Sequence, residues 1–234
     1  MDPKSFVLIS DLDDTIKISN TKRKVVTVYR GLFRDSAFTG MATLYRELLA
    51  NSDINENFLV VSSSPPQIKN RIKKFLKKHN FPEARLILRD WIREPSIPRY
   101  KKTRLHQEIE QAKAGVILVG DDTEHDPEVF DGLCSTFGEK ILAVYIHVIT
   151  GRKIPTGQVP YFTAFDLACH ELAAGRMANH QVLEVGKAIV DGKKQYWIIP
   201  KFSLKPPISF IPFISAADQA MIDLWEKIKK RIYP

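Results

Sequence analysis

Phe6-Val-Leu-Ile-Ser10-Asp11-Leu12-Asp13-Asp14-Thr15 decides how this chain reads. The apolar run Phe6 to Ile9 predicts a strand buried on both faces, as in parallel sheets. Three carboxylates follow it within four residues. Beside a hydrophobic strand such a group is costly to hold without a cation, and magnesium prefers oxygen ligands. Asp11 and Asp13, two residues apart, face one site if the chain stays extended. A carboxylate placed there can attack a phosphoryl group and form an aspartyl-phosphate. Its neighbour can protonate the leaving oxygen and then activate water. The competing reading is an acidic turn or a helix N-cap, where Asp and Thr are common.

The same pattern recurs outward along the chain. Buried strands are predicted at Phe58 to Val61, Leu86 to Leu88, Val116 to Val119 and Ile141 to Ile146. Amphipathic helices are predicted at 40–49, 66–79, 101–113 and 126–137, with residues 91–100 irregular between them. The alternation predicts an α/β fold, a Rossmann-like parallel sheet with helices on both faces. In such sheets the sites form at the carboxyl ends of strands. Asp11, Ser62 and Asp121 each stand directly after a strand, so they can converge on one edge.

The further candidates have plain alternatives as well. A hydroxyl at a strand end, followed by backbone N–H groups, can hold a phosphoryl oxygen, which is the role open to Ser62; Ser62-Ser-Ser-Pro-Pro66 is equally a helix start. Lys101 or Lys102 can neutralise phosphate. Lys101 shares a helix face with Leu105 and Ile109, and Lys102 is the alternative. In Gly120-Asp121-Asp122-Thr-Glu-His-Asp126-Pro127, Asp121 can bind a cation directly and Asp126 directly or through water. A capped helix, with Asp126 as N-cap and Pro127 at N1, is compatible with both.

After residue 150 the pattern changes. Residues 151–162 are punctuated by Gly and Pro, and helix 163–177 follows. Val182 to Ile189 and Gln195 to Ile199 flank Asp191-Gly192, which predicts a hairpin. A last amphipathic helix is expected at 215–232. The expected organisation is a catalytic domain over 1–177 and a C-terminal hairpin-and-helix extension over 178–234, packed on the core. The aromatic and proline-rich stretch 196–213 is read as core covering rather than as a bilayer or partner contact.

The whole chain sets outer bounds. Its 234 residues are 44% hydrophobic and 26% charged, with a net charge of +8. That balance favours anionic partners: phosphate esters, an anionic membrane touched peripherally, or nucleic acid, which composition does not exclude. Basic side chains cluster at 21–24, at 29–34 among aromatics, and on one face of helix 66–79. Cys134 and Cys169 form neither a disulfide framework nor a metal spacing, which suits a reducing, cytoplasmic setting. No run approaches the roughly 18 apolar residues of a spanning helix, and the N-terminus lacks the basic start and apolar length of a signal peptide.

Taken in order, these motifs resemble the haloacid-dehalogenase-like (HAD-like) phosphatase superfamily: Asp-x-Asp-x-Thr at 11–15, Ser62, Lys101 or Lys102, and Gly-Asp-x₄-Asp at 120–126. A narrower set resembles the catalytic domain of the actin-patch phosphatidate phosphatase family over roughly residues 5–150. It comprises Ser10-Asp-Leu-Asp-Asp-Thr-Ile-Lys17, Val61-Ser-Ser-Ser-Pro65, Leu88-Arg-Asp-Trp91, Gly120-Asp-Asp-Thr-Glu-His-Asp-Pro-Glu128 and Val144-Tyr-Ile146. The resemblance implies a central nucleophile strand, a minimal cap, and a magnesium ion at Asp11, Asp13, Asp121 and Asp126. It also implies phosphate contacts from Ser62, Ser63 and a lysine, and hydrolysis of phosphatidate or a related lipid phosphate. The alternatives are a phosphatase for nucleic-acid ends, nucleotides or other small phosphate esters, and a catalytically weak binding protein on this fold. The chain departs from the family at Ser63, where Asn is usual, and at Asp122-Thr123, where the family has Ser-Gly. Asp122 is therefore expected to alter metal affinity or repel an acidic substrate. The family's N-terminal β-domain has no counterpart before the first strand, and the tail from 178 matches nothing in the family.

Overall fold

A computed structural model of the chain describes residues 5–19, 35–50, 52 and 57–234. The basic stretches expected at 21–24 and 29–34 lie outside the described residues. Six strands form: β1 Phe6–Ser10, β2 Phe58–Ser62, β3 Arg85–Leu88, β4 Gly115–Asp121, β5 Ile141–His147 and β6 Val159–Tyr161. All pair in parallel, in the order β3-β2-β1-β4-β5-β6. Their side chains alternate between two cores. Phe6, Leu8, Phe58, Val60, Ile117 and Val119 enter one, while Ile9, Leu59, Val61, Val116 and Leu118 enter the other. Both faces being covered explains why these strands read as unbroken apolar runs.

Seven α-helices are described: α1 Met41–Leu49, α2 Lys69–Lys78, α3 Ile97–Gln111, α4 Asp126–Phe137, α5 Ala164–Ala173, α6 Asn179–Val190 and α7 Gln219–Ile232. α3 and α4 cover one face of the sheet, and the other five cover the opposite face. None is long and apolar enough to cross a membrane. α3 begins four residues before the expected start. Ser96 caps it by accepting from the Arg99 amide, and Pro98 costs nothing in a first turn whose N–H groups lack helical partners. β6 falls in the stretch expected to be irregular. Helix 163–177 shortens to α5, closed by a capping box between Thr163 and Asp166, and the last helix starts at Gln219, capped by Asp218.

The expected hairpin after residue 178 is a correction. Val182 to Ile189 belongs to α6, and 195–197 is a single 3₁₀ turn. Val182, Val185 and Ile189 recur at helical spacing and are buried against the core of the sheet, so packing overrides the strand preference of valine. Asp191-Gly192 ends a helix instead of turning a hairpin. Arg231 of α7 donates to the carbonyls of Ile189, Val190 and Gly192 there, satisfying the helix's last acceptors. α6 contacts α1, α5 and α7. Within 196–213, Ile198, Ile199, Pro206 and Pro212 are buried, but Leu204, Ile208, Ile211 and Phe213 stand exposed. The covering role expected of this stretch holds for only part of it.

Strand order reverses between β1 and β4, since β2 and β3 lie on one side of β1 and β4 to β6 on the other. That crevice is where ligands bind in open α/β sheets.

Candidate active site

Asp11 extends the β1–β4 ladder by one residue, its amide donating to Val119 O at 2.8 Å. The chain then turns sharply. Asp14 sits at φ 58°, a left-handed conformation that Asp tolerates better than most residues. Its amide donates to Lys17 O at 2.7 Å, and its carboxylate accepts from the Ser19 amide at 2.8 Å. Its carbonyl accepts from His147 Nδ1 at 2.8 Å. His147 is buried, which pushes its pKa down and keeps the ring neutral. The third carboxylate of the opening motif thus holds the turn together.

Asp11, Asp121 and Asp126 each bring one carboxylate oxygen to within 4.8 Å of the others, and all three are buried. Lys101 lies wedged against them, with Nζ 2.8 Å from Asp11 Oδ1 and 2.5 Å from Asp126 Oδ1. Asp121 Oδ1 accepts from the Thr123 amide at 2.7 Å and its hydroxyl at 2.5 Å. Asp121 Oδ2 accepts from Thr15 Oγ1 at 3.3 Å. Asp126 Oδ2 is buried with no hydrogen-bond partner, although a buried carboxylate oxygen is nearly always satisfied.

Three carboxylates against one lysine leave the centre short of positive charge. Burial, with Asp126 and Asp13 adding to it and Lys101 opposing, pushes Asp11 up to about 8. Burial and the charges of Asp126 and Asp11 raise Asp121 well above the carboxylate range. Burial alone would lower Lys101, but Asp11, Asp126 and Asp121 outweigh it and hold the ammonium above the usual lysine range. The oxygen-only donor set, the negative surplus and the orphaned Asp126 oxygen all suit a hard divalent cation.

Around this centre lie the other expected residues. Ser62 is buried at the end of β2, its hydroxyl accepting from the Ser64 amide at 3.1 Å. Ser63 Oγ is buried without a partner, and its carbonyl accepts from Trp91 Nε1 at 2.8 Å. Ser64 Oγ reaches Asp13 Oδ2 at 3.4 Å, which brings the β2 loop over the first motif. The Asp13 carboxylate meets Lys17 at 2.9 Å, Ser19 and Ser64, and its charge bears on Asp11. Lys101 joins the centre, while Lys102, one step around α3, is exposed.

Asp122, next to Asp121 in the chain, is buried as well. Its carboxylate accepts from the amides of Ile149, Thr150 and Gly151 at 2.7–2.9 Å. Both its oxygens are thereby engaged by the loop after β5. Sequence reasoning assigned no role to Lys17, Thr123 or Tyr100, whose hydroxyl donates to Ser62 O at 3.3 Å. The four-residue spacing of Asp13 and Lys17 and the Asp121-x-Thr123 turn were the signals available for two of them.

Comparison with known proteins bears on the same segment. The family model "Phosphatidate phosphatase APP1, catalytic domain" matches residues 6–148. Phosphatidate phosphatase APP1 of Saccharomyces cerevisiae is 30% identical over 155 residues, covering 62% of this chain and 26% of that protein. An uncharacterised protein of Schizosaccharomyces pombe is 25% identical over 157 residues, again covering 62% of this chain and 26% of its own length. The chain therefore spans about a quarter of the curated relatives it matches. No solved structure matches it. The matched residues include both strands of the crevice and each carboxylate of the centre, and the chain belongs to the family of the APP1 phosphatidate phosphatase catalytic domain.

Proposed function

We propose that this chain is a magnesium-dependent phosphomonoesterase working through a phosphorylated Asp11, with phosphatidate or a related lipid phosphate as substrate. One observation carries the reading: Asp11, Asp121 and Asp126 converge on buried Lys101 at the β1/β4 crevice, with one Asp126 oxygen left unpartnered. The printed name of the yeast relative supports the lipid substrate.

Asp11 attacks phosphorus as the bond to the ester oxygen breaks. Asp13 gives its proton to that leaving oxygen. Of the site's carboxylates Asp13 is the most open, with 20% of its side chain exposed, which suits a group that exchanges protons with water. A water then loses a proton to Asp13 and displaces Asp11 from phosphorus, releasing inorganic phosphate. Lys101, paired with Asp11, opposes the effect of burial on that carboxyl and offsets charge on the phosphoryl oxygens. Ser62 and Ser63 stand at the adjoining strand end as phosphate contacts. A magnesium ion held by Asp11, Asp121 and Asp126 would supply the positive charge that the centre lacks. A substrate of this kind places the protein peripherally at a membrane.

Purified protein assayed with magnesium against phosphatidate micelles, para-nitrophenyl phosphate and a phosphorylated oligonucleotide tests the proposal. Phosphate release lost in Asp11→Asn is the expected outcome. Silence on every substrate would overturn the enzymatic reading, and preference for the oligonucleotide would overturn the lipid one.

A further inference from the structure

Among the described residues six large apolar side chains stand exposed, and five of them fall within 196–213. Ile208 is 76% and Ile211 69% exposed. Between Gly192 and Ala217 the sequence has four lysines, Lys193, Lys194, Lys201 and Lys205, and no acidic residue. Monomeric proteins seldom leave such a patch bare without a use for it.

Its place in the fold narrows that use. The Leu204 amide donates to Ile149 O at 2.8 Å, just beyond β5. Gly151 lies so close that a Cβ there would meet Leu204 Cδ2 at 2.5 Å. Phe210 packs edge-on against Phe162, the first residue after β6, with ring centroids 5.1 Å apart. The segment therefore starts at the carboxyl ends of β5 and β6 and then passes onto the helices, Phe210 also meeting Trp225 of α7 and Phe213 stacking on His170 of α5. The sixth exposed side chain, Ile92, is 92% exposed and follows the carboxyl end of β3 beside exposed Arg93. Given the strand order, Ile92 and the first part of the 204–213 segment, from Leu204 to Phe210, fall on either side of Asp11 and Asp121 along the carboxyl edge of the sheet.

We infer that these two flanks are bilayer anchors: Ile92 on one side and Leu204, Ile208 and Ile211 on the other enter the headgroup boundary of an anionic membrane. Lysines beside the anchors meet acidic headgroups, and the anchored edge presents the site to the lipid surface. The inference takes its biological sense from the lipid-phosphate reading, but its test uses no phosphatidate, so the two can fail separately.

Co-sedimentation with phosphatidylcholine vesicles, with and without phosphatidylserine, measures the contact. Wild type should bind the anionic vesicles. Ile208→Ser/Ile211→Ser should weaken binding about tenfold or more, and Ile92→Ser several-fold, from the apolar area withheld from lipid. Both variants should hydrolyse para-nitrophenyl phosphate at the wild-type rate. Ile208→Trp, at a position already open to solvent, should show tryptophan emission shifted to the blue and quenched by brominated lipid. Absence of wild-type binding, unchanged binding in either serine variant, or an unquenched tryptophan overturns the inference. Self-association of wild type that Ile208→Ser/Ile211→Ser abolishes, with vesicle binding intact, overturns it in favour of a protein contact.

Discussion

Gly120→Ala would leave every carboxylate chemically intact and displace one of them. The added Cβ would lie 2.6 Å from Asp126 Oδ2, 2.8 Å from Asp126 Cβ and 2.8 Å from Phe130 Cε2. Ordinary van der Waals contact begins near 3.4 Å, so the Asp126 carboxylate must retreat by about 0.8 Å. Phe130 has little room to give, being buried against the sheet. The movement therefore falls on Asp126, in the first turn of α4, and stretches its bond to Lys101. A misplacement near 1 Å in a catalytic group costs on the order of 10²-fold in rate, and overpacking costs about 1–3 kcal/mol in stability. The assay is a magnesium titration of para-nitrophenyl phosphate hydrolysis, with urea unfolding run in parallel. The expected result is a weaker apparent magnesium constant and a rate about 10²-fold lower in a protein that still unfolds cooperatively. Gly132→Ala is the control. It lies on the same helix, where an added Cβ meets nothing within 4 Å, and should leave the rate unchanged while stabilising the helix by about 0.5–1 kcal/mol. A folded Gly120→Ala protein with wild-type rate and magnesium dependence would refute the claim that Asp126 must sit where it does.

Other outcomes follow from the same geometry. Lys101→Met should lower steady-state phosphate release by about 10²–10³-fold, whereas Lys102→Met should stay near wild type; equal losses would contradict the choice of lysine. Glu171→Ala removes the counter-charge of Arg176, which pairs with it at 2.7 Å in the buried core beside Tyr145, and should cost about 3–5 kcal/mol in urea unfolding; a loss below about 1 kcal/mol would mean that water reaches the pair. Because Asp11 is raised from 3.8 to about 8, the cation-free fold holds a proton that the unfolded chain releases, so its stability should fall as pH rises through that interval. Magnesium displaces the same proton, so its affinity should climb toward pH 8, and calorimetry in buffers of different ionisation enthalpy should detect proton release near neutrality; none would show that Asp11 is already ionised.

The sheet and most of the centre were legible in the sequence for a physical reason. Strands buried on both faces cannot alternate polar residues, so β1, β2 and β4 print as apolar runs, and the carboxylates that follow them mark the carboxyl edge. The phase of α3 was legible too: Lys101 shares a face with Leu105 and Ile109, which the structure buries along with it. α6 was not legible. Valines and isoleucine before Asp-Gly suit a strand and turn, and only the neighbours α1 and α7 decide for a helix. Asp122 was unreadable for a similar reason, since the three amides that claim it come from a loop 27–29 residues away. Nor could the sequence say which residues of 196–213 would be buried, because irregular segments have no period to read.

α6 and α7 bear on where the chain can be divided. The family match ends at residue 148, yet Tyr161, Phe165, Val185, Ile189 and Trp225 share one core with Phe6 and Leu8 of β1. A fragment cut at the family boundary would strip α5, α6 and α7 from a face of the sheet that α1 and α2 would then cover only in part. The residues beyond the family match thus hold the far side of the strand from which Asp11 projects.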